Sequence, residues 1–279
     1  MDRDDLSLPE AKVVVDELNA LVRELRAKNV PISAWYGGLV MGKQQLIMEK
    51  INRGYNYEPL PDAADDHYFP WFLYWEIVWV VLNNDFSPGC RVLDLGGSSS
   101  LFSYYLASKS CDVTTVDLNK ELVENGNAIA ERLGWKMRNL AMDIRDLAGE
   151  DKYDHITSIC VYEHIPLKDR VSINQHIAEK LNDGGHFSIT FDYRNPSRFV
   201  SIDSPEDVRR QFIEPSSLKV RGNEVFHDNG KNYLLHPFYY NRRLWGYKWE
   251  AVKSGDFALR ELLRTKDYED YTFGALVQE

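Results

Sequence analysis

Cysteine is scarce in this sequence, and its scarcity limits the chemistry that the chain can carry. Only three cysteines occur among 279 residues, Cys90, Cys111 and Cys160, and their spacing fits neither a disulfide framework nor a metal site. The seven histidines show no compact ligand spacing either. We therefore predict three reduced thiols, a cytoplasmic protein and no bound metal.

Basic residues are also fewer than acidic residues. The chain has 33 lysines and arginines against 43 aspartates and glutamates, a formal net charge of -10. Extended contact with a phosphate backbone needs a basic face. The charge balance therefore predicts no nucleic-acid partner, although it allows a local basic pocket.

No apolar run is long enough to cross a bilayer. The most apolar stretch, residues 69–82, is too short for that and contains Glu76. It predicts a buried amphipathic helix and no membrane partner. The N-terminus, MDRDDLSLPE, is acidic and polar, whereas a secretory signal starts basic and continues apolar. We therefore expect the chain to stay in the cytoplasm.

The N-terminal part is predicted to be helical. Ser7 and Glu10 have the spacing of a capping box, and apolar residues then recur at helical spacing, which predicts a helix over residues 7–29. Residues 71–84 predict a second helix, followed by a turn. We interpret residues 1–84 as a helical cap and residues 85–279 as the main domain.

The main domain alternates short apolar strands with helices, which predicts a doubly wound, mostly parallel α/β sheet. The chain end, residues 256–278, predicts an antiparallel pair that completes a seven-stranded sheet. Residues 195–255 interrupt this order and predict a lid insertion. The predicted strands before the insertion are residues 91–95, 112–118, 135–143, 153–161 and 186–191.

The turn after the first of these strands is rich in glycine and serine. It runs Gly96-Gly97-Ser98-Ser99-Ser100. The glycine spacing of a dinucleotide-binding turn is not met, which argues against a nicotinamide oxidoreductase. A phosphate-binding loop would need a lysine directly after the glycines, and the next lysine is Lys109.

The turn resembles the first motif of class I S-adenosylmethionine-dependent methyltransferases, in which an acidic residue precedes a glycine-rich loop. VLDLGGSSS supplies Asp94, Gly96 and Gly97, and Ser98 and Ser100 stand where the family has glycines. Serine is small, so close approach of the backbone to a ligand is preserved.

The resemblance continues in the family's order over residues 90–192. TTVDLN resembles the second motif, whose acid, here Asp117, would accept hydrogen bonds from the ribose hydroxyls. AMDIRDL resembles the third, where Asp143 would take the adenine amino group and Ile144 would cover the ring. CVYEHIP and LNDGGHFSIT resemble the segments around the last two parallel strands. The resemblance implies S-adenosylmethionine as cofactor, bound by Asp94, Gly96, Gly97, Ser98, Asp117, Leu118, Asp143, Ile144, Cys160 and Val161.

Methyl transfer from a sulfonium is an in-line displacement that needs alignment and exclusion of water. The best candidate for a general base is His164, although a packing or capping function is equally consistent with its position. Asp192 and Tyr193, which we expect just after the last parallel strand and on the same rim as His164, are the next candidates. Glu163-His164 also resembles a metal-using branch that methylates RNA ends, but Cys160 replaces a glutamate of that branch.

The insertion contains an aromatic and basic segment, residues 232–249. Aromatic side chains shape a pocket and arginines bind carboxylate or phosphate. The segment favours a sugar-like or anionic acceptor, although a charged surface helix explains it equally well. The candidate substrate-binding residues are His236, Tyr239, Tyr240 and Arg242.

The sequence thus predicts a methyltransferase that acts on an oxygen or nitrogen of a small molecule. One alternative is a non-catalytic module that binds S-adenosylmethionine. Another is a protein methyltransferase, although the signature typical of those enzymes after the fourth strand is replaced by CVYEHIP. The sequence leaves a homodimer open.

Overall fold

The computed structural model describes residues 1–33, 38–40, 69–195, 200–222, 226–233, 249, 253 and 271–279. Its strands are β1 (Ile32–Ser33), β2 (Leu39–Val40), β3 (Arg91–Leu95), β4 (Asp112–Asp117), β5 (Met137–Ala141), β6 (Tyr153–Ile159), β7 (Leu181–Tyr193) and β8 (Thr272–Gln278). Its α-helices are α1 (Pro9–Ala27), α2 (Trp71–Leu82), α3 (Leu101–Ser108), α4 (Lys120–Leu133), α5 (Leu167–Lys180) and α6 (Pro205–Val208).

The main sheet confirms the predicted doubly wound architecture. Its six described strands lie in the order β5-β4-β3-β6-β7-β8, and all neighbours are parallel except the antiparallel pair β7 and β8. The strand predicted to precede β8 falls outside the described residues. The order reverses between β3 and β6, so the carboxyl ends of these two strands border the crevice where open α/β sheets bind ligands.

Both faces of the sheet are covered. On one face, α1, α2 and α3 share a hydrophobic core with β3 and β4, which includes Leu18, Trp75 and Val92. The other face packs α5 and the α6 region against β6 and β7, with Ile177 and Phe212 among the buried side chains. No helix in the described ranges is both long and apolar enough to cross a membrane.

Local signals mark several helix ends correctly. Asn119 caps the start of α4 and Gly134 its end, and the Ser204 hydroxyl accepts from the backbone amide of Asp207 at the start of α6. The capping box predicted at Ser7 and Glu10 is wrong. Proline is favoured at the first helical position, so α1 begins at Pro9 and Leu8 takes the cap position. The capping box observed is that of Asp2 and Asp5, on the short 3₁₀ turn before α1.

The last parallel strand is longer than predicted. Residues 186–191 were expected, but β7 starts at Leu181, which pairs with Tyr153 before an irregularity in the register. Gly184 and Gly185 lie at this irregularity and let the strand continue through it. Asp192 and Tyr193 are consequently the last two residues of β7 and do not follow the strand.

Candidate functional site

The turn after β3 depends on two glycines that no larger residue can replace without displacement. Gly96 has a φ of +73°, and a Cβ atom there would lie 2.7 Å from a methyl group of Val161. A Cβ atom on Gly97 would lie 1.7 Å from Oδ2 of Asp94. The turn is therefore folded tightly over the end of β3, with its backbone at the switch point of the sheet.

Asp94 lies beneath this turn. The Ser103 hydroxyl donates to Asp94 Oδ2 at 2.7 Å and the Thr157 hydroxyl donates to Oδ1 at 2.8 Å. Burial raises the pKa of the Asp94 carboxyl to about 6. The carboxylate therefore joins β3, β6 and the first turn of α3, and its contact with a cofactor stays a prediction.

The three serines of the turn face the protein. Ser98 Oγ and Thr115 Oγ1 lie 2.6 Å apart, and the Ser99 hydroxyl donates to the Leu122 carbonyl at 2.6 Å. Ser100 caps α3 by accepting from the backbone amide of Ser103. The side chains of Ser98 and Ser100, which replace the family's glycines, are therefore hydrogen-bonded within the fold. Backbone atoms form the outer side of the turn. A serine before an apolar helix is the signal that could have revealed the cap at Ser100.

Asp117 ends β4 beside the turn. Its carboxylate accepts from the backbone amide of Asn119 at 2.8 Å and also from the amides of Ser98 and Leu118. Burial raises the pKa of this carboxyl. The next side chain, Leu118, is 77% exposed. A hydrogen-bond acceptor, Asp117, and an apolar side chain, Leu118, thus lie together at the end of β4, where the ribose and adenine contacts are predicted.

Asp143 follows β5 and caps a 3₁₀ turn, Ile144–Asp146. Its carboxylate forms an ion pair with Arg145 at 2.8 Å, and the Arg145 guanidinium lowers its pKa. Ile144 is buried. The carboxylate already has a local partner, so the predicted contacts of both residues with adenine stay predictions.

A second cluster lies at the ends of β6 and β7, on the other side of the switch point. The Cys160 thiol and the Thr190 hydroxyl both donate to Glu76 Oε1, each at 2.7 Å. Burial raises the pKa of the Glu76 carboxyl to about 8. Sequence reasoning assigned Glu76 only to a core helix, because no local pattern marks a contact between α2 and the ends of two strands.

Two further acids complete this cluster. Glu163 and Asp192 are buried, and one ligand atom from each of Cys160, Glu163 and Asp192 lies within 4.8 Å of the other two. Burial also raises the pKa of the Cys160 thiol well above its ordinary value. A protonated thiol is a poor metal ligand. The absence of a metal from the reaction stays a prediction.

The predicted bases are not all brought together. Asp192 joins the cluster and accepts from the Asn195 amide at 2.8 Å, whereas the neighbouring His164 side chain is exposed. Tyr193 alternates to the opposite face of β7, where its hydroxyl donates to Asp228 at 3.0 Å and burial raises its pKa to about 12. The expectation that Asp192 and Tyr193 face the same rim is wrong, because successive side chains of a strand point to opposite faces.

The N-terminal segment reaches the turn. The backbone amide of Ser33, in β1, donates to the Ser99 carbonyl at 2.8 Å. The residues that follow directly, 34–37, lie outside the described residues. The predicted substrate-binding residues also lie outside them: His236, Tyr239, Tyr240 and Arg242.

Comparison with known proteins agrees with this geometry. A family model described as a methyltransferase domain matches residues 92–185. A ubiquinone biosynthesis O-methyltransferase of Xanthomonas campestris pv. campestris (strain B100) is 29% identical over 144 residues, which cover 47% of this chain and 59% of the relative. Its counterpart in Xanthomonas euvesicatoria pv. vesicatoria (strain 85-10) is 31% identical over 143 residues, with the same coverage. The chain thus spans about three fifths of the length of these relatives.

Solved structures share the fold. A coclaurine N-methyltransferase bound to N-methylheliamine and S-adenosylhomocysteine has a TM-score of 0.54 at 12% identity, covering 98% of this chain and 95% of its own. A putative sarcosine dimethylglycine methyltransferase from Galdieria sulphuraria has a TM-score of 0.53 at 13% identity, covering 73% and 83%. At this level of identity the likeness concerns the fold.

Proposed function

We propose that this chain, in which a methyltransferase domain model matches residues 92–185, is a class I S-adenosylmethionine-dependent methyltransferase that transfers a methyl group to an oxygen or nitrogen of a small molecule. The observation that carries the proposal is the set of acids at three parallel strand ends beside the switch point. Asp94 is the penultimate residue of β3, Asp117 ends β4 and Asp143 follows β5, and Gly96 and Gly97 form the turn after β3. A carboxylate at such an edge can accept hydrogen bonds from ribose hydroxyls, as in dinucleotide-binding sheets.

We infer one orientation for S-adenosylmethionine at this edge. The ribose hydroxyls would donate to Asp117, the adenine would lie against the exposed Leu118, and Ile144 and Asp143 would border the ring. The sulfonium end would then lie over the backbone of Gly96 and Gly97, near the start of the loop at Cys160. The protein's own contribution is to hold donor and acceptor in line and to exclude water.

The acceptor would enter at the ends of β6 and β7. Asp192 and the exposed His164 are the bases that this edge offers for a hydroxyl or amine proton. The acidic side chains of Glu163 and Asp192 would repel an anion at this point. An uncharged hydroxyl acceptor, such as that of a sugar-like compound, therefore fits better than a carboxylate or phosphate. The names of the curated relatives also support an oxygen acceptor.

The proposal places the protein in the cytoplasm and includes no nucleic-acid partner, because the net charge of -10 opposes phosphate contact. A non-catalytic module would bind the cofactor without turnover. Light scattering of the purified chain would establish whether it forms the homodimer that the sequence leaves open.

The test is calorimetric titration with S-adenosylhomocysteine, with NAD as the control ligand. We expect micromolar binding of the first ligand and none of the second. Asp117→Ala should abolish the binding, whereas Asp112→Ala, at the opposite end of the same strand, should preserve it. Binding of NAD, or undiminished binding of S-adenosylhomocysteine by Asp117→Ala, would contradict the proposed cofactor site. If binding is confirmed, transfer from labelled S-adenosylmethionine to hydroxyl and amine acceptors separates an enzyme from a binding module.

A further inference from the structure

Two of the three cysteines meet at the start of neighbouring strands. Cys90 directly precedes β3 and Cys111 directly precedes β4, and these parallel strands pair with Arg91 opposite Asp112. The two sulfur atoms lie 3.4 Å apart. Sequence spacing did not reveal this pair, because the register of the two strands brings the thiols together. All three cysteines are free in the structure.

The backbone around the pair is held in place. The amide of Asp112 donates to the Cys90 carbonyl at 2.8 Å, so the ladder between β3 and β4 extends to the cysteines. Paired residues of adjacent strands carry their side chains on the same face. The two cysteines therefore have the side-by-side arrangement that a disulfide between neighbouring backbones needs.

The pair is separate from the proposed methyl-transfer site. It lies at the amino ends of the strands, whereas the glycine turn and the cluster around Cys160 lie at the carboxyl ends. Cys90 is partly exposed and Cys111 is buried. A small oxidant therefore has access from the Cys90 side, and a bulky one does not reach Cys111.

The two thiols are chemically unequal. The Cys90 thiol donates its hydrogen to the Cys111 sulfur, and this contact lowers the pKa of Cys111 while it raises that of Cys90. Burial and the nearby carboxylates of Asp85 and Asp154 raise the pKa of Cys90 further. Of the two, Cys111 therefore loses its proton the more readily, and thiolate character controls the reactivity of a cysteine.

We propose that Cys90 and Cys111 form an oxidation site, a dithiol that a peroxide converts into a reversible disulfide. The first sulfur attacks one peroxide oxygen, the O–O bond breaks, and a sulfenic acid and one water form. The second sulfur then displaces the hydroxyl of the sulfenic acid, which forms the S–S bond and releases a second water. Two thiols and one hydrogen peroxide thus give one disulfide and two waters, with two electrons passing from sulfur to oxygen.

The bond would close a loop that contains the proposed cofactor turn. Residues 91–110 lie between the two cysteines and include β3, the glycine turn and α3. The disulfide would thus link the start of β3 to the start of β4, and it would not contact the turn itself. We expect the oxidised protein to retain its fold and to resist unfolding more than the reduced protein does.

The experiment is mass spectrometry of the full chain after treatment with one equivalent of hydrogen peroxide, followed by alkylation of the remaining thiols under denaturing conditions. A loss of two hydrogens and a single alkylated cysteine are expected. Trypsin separates the three cysteines into the peptides 54–91, 110–120 and 153–168, so the bond should appear as a link between the first two. Dithiothreitol should reverse it.

Controls distinguish a disulfide that the folded structure favours from incidental oxidation. Cys160→Ser should form the same link, whereas Cys90→Ser and Cys111→Ser should not. The wild-type chain unfolded in urea should form it more slowly and with mixed partners. Retention of three alkylated thiols, a link that involves Cys160, or equal rates in folded and unfolded chains would overturn the proposal. Because the main measurement uses the wild-type chain, it does not depend on the folding of any variant.

Discussion

Glu76→Gln should change how the stability of this protein depends on pH. The Glu76 carboxyl is 2% exposed and sits among the acidic groups of the acceptor side, where burial raises its pKa from 4.5 to about 8. The folded protein therefore keeps the proton of Glu76 at neutral pH, whereas the unfolded chain releases it above about pH 4.5. Unfolding then becomes more favourable as the pH rises between these two values.

The magnitude follows from the two pKa values. The wild-type protein has the full stability contribution of neutral Glu76 below pH 4.5 and loses about 1.4 kcal/mol of unfolding free energy for each pH unit up to about 8. The whole interval corresponds to about 5 kcal/mol. Glutamine is neutral at every pH, and its amide oxygen can still accept from Cys160 and Thr190. The unfolding free energy of Glu76→Gln should therefore not show this decrease with rising pH.

The assay is urea unfolding followed by tryptophan fluorescence at pH 5, 6, 7 and 8, with linear extrapolation to water. The difference in unfolding free energy between Glu76→Gln and wild type should shift steadily in favour of the variant as the pH rises. Burial also raises the pKa of Asp94, to about 6, but this carboxyl titrates in both proteins and cancels in the difference. Glu124→Gln, at an exposed position of α4, is the matched control substitution for the same series.

Parallel curves for Glu76→Gln and wild type would refute the reasoning, because they would mean that Glu76 ionises alike in the folded and unfolded chains. Glu76→Ala gives a second check. It removes the acceptor for both hydroxyl and thiol donors, so it should be less stable than Glu76→Gln at every pH in the series. An alanine variant as stable as the glutamine variant would mean that the two hydrogen bonds at Glu76 contribute little.

Three further outcomes can be measured on the same preparations. Gly97→Ala should lower the unfolding free energy by about 1–3 kcal/mol and weaken S-adenosylhomocysteine binding in calorimetry, because its Cβ atom would collide with the Asp94 carboxylate; an unchanged affinity would contradict a tightly folded turn. Ser98→Gly restores the family's glycine but removes the contact with Thr115, so urea unfolding should show a loss of about 1 kcal/mol with unchanged affinity for S-adenosylhomocysteine. The protein oxidised at Cys90 and Cys111 should gain about 3 kcal/mol of unfolding free energy, a gain that dithiothreitol removes, because the disulfide restricts the unfolded chain.

The features that were predicted correctly are those that depend on a few neighbouring residues in the sequence. The alternation of apolar strands with helices predicted the doubly wound sheet, and the family model confirms the methyltransferase resemblance over residues 92–185. The caps at Asn119 and Ser204 were predictable because a capping side chain bonds to a backbone amide only two or three residues away. Where a second local preference competed, as Pro9 did with Ser7, the prediction of the helix start was wrong by two residues.

The orientation of side chains at the site depended on details of the strands. Asp192 and Tyr193 were both placed on the acceptor rim, but β7 continues through them and its alternation separates them onto two faces. Ser98 was predicted to bind the cofactor, which stays a prediction, and the structure shows that its hydroxyl lies beside that of Thr115. Residue type reveals neither arrangement. The first depends on how far β7 continues, and the second depends on how β4 packs beside the turn.

By itself the sequence determined the order of strands and helices, the glycine turn and the acids at the strand ends, because these depend on backbone preferences and periodicity over a few residues. Tertiary structure alone decided which distant groups meet. The packing of α2 against the sheet brings Glu76 to Cys160 and Thr190, and burial there keeps its carboxyl protonated at neutral pH. The parallel register of β3 and β4 likewise brings Cys90 to Cys111, across 21 positions of chain. Such contacts arise from sheet order and helix docking, which no local pattern in the chain encodes.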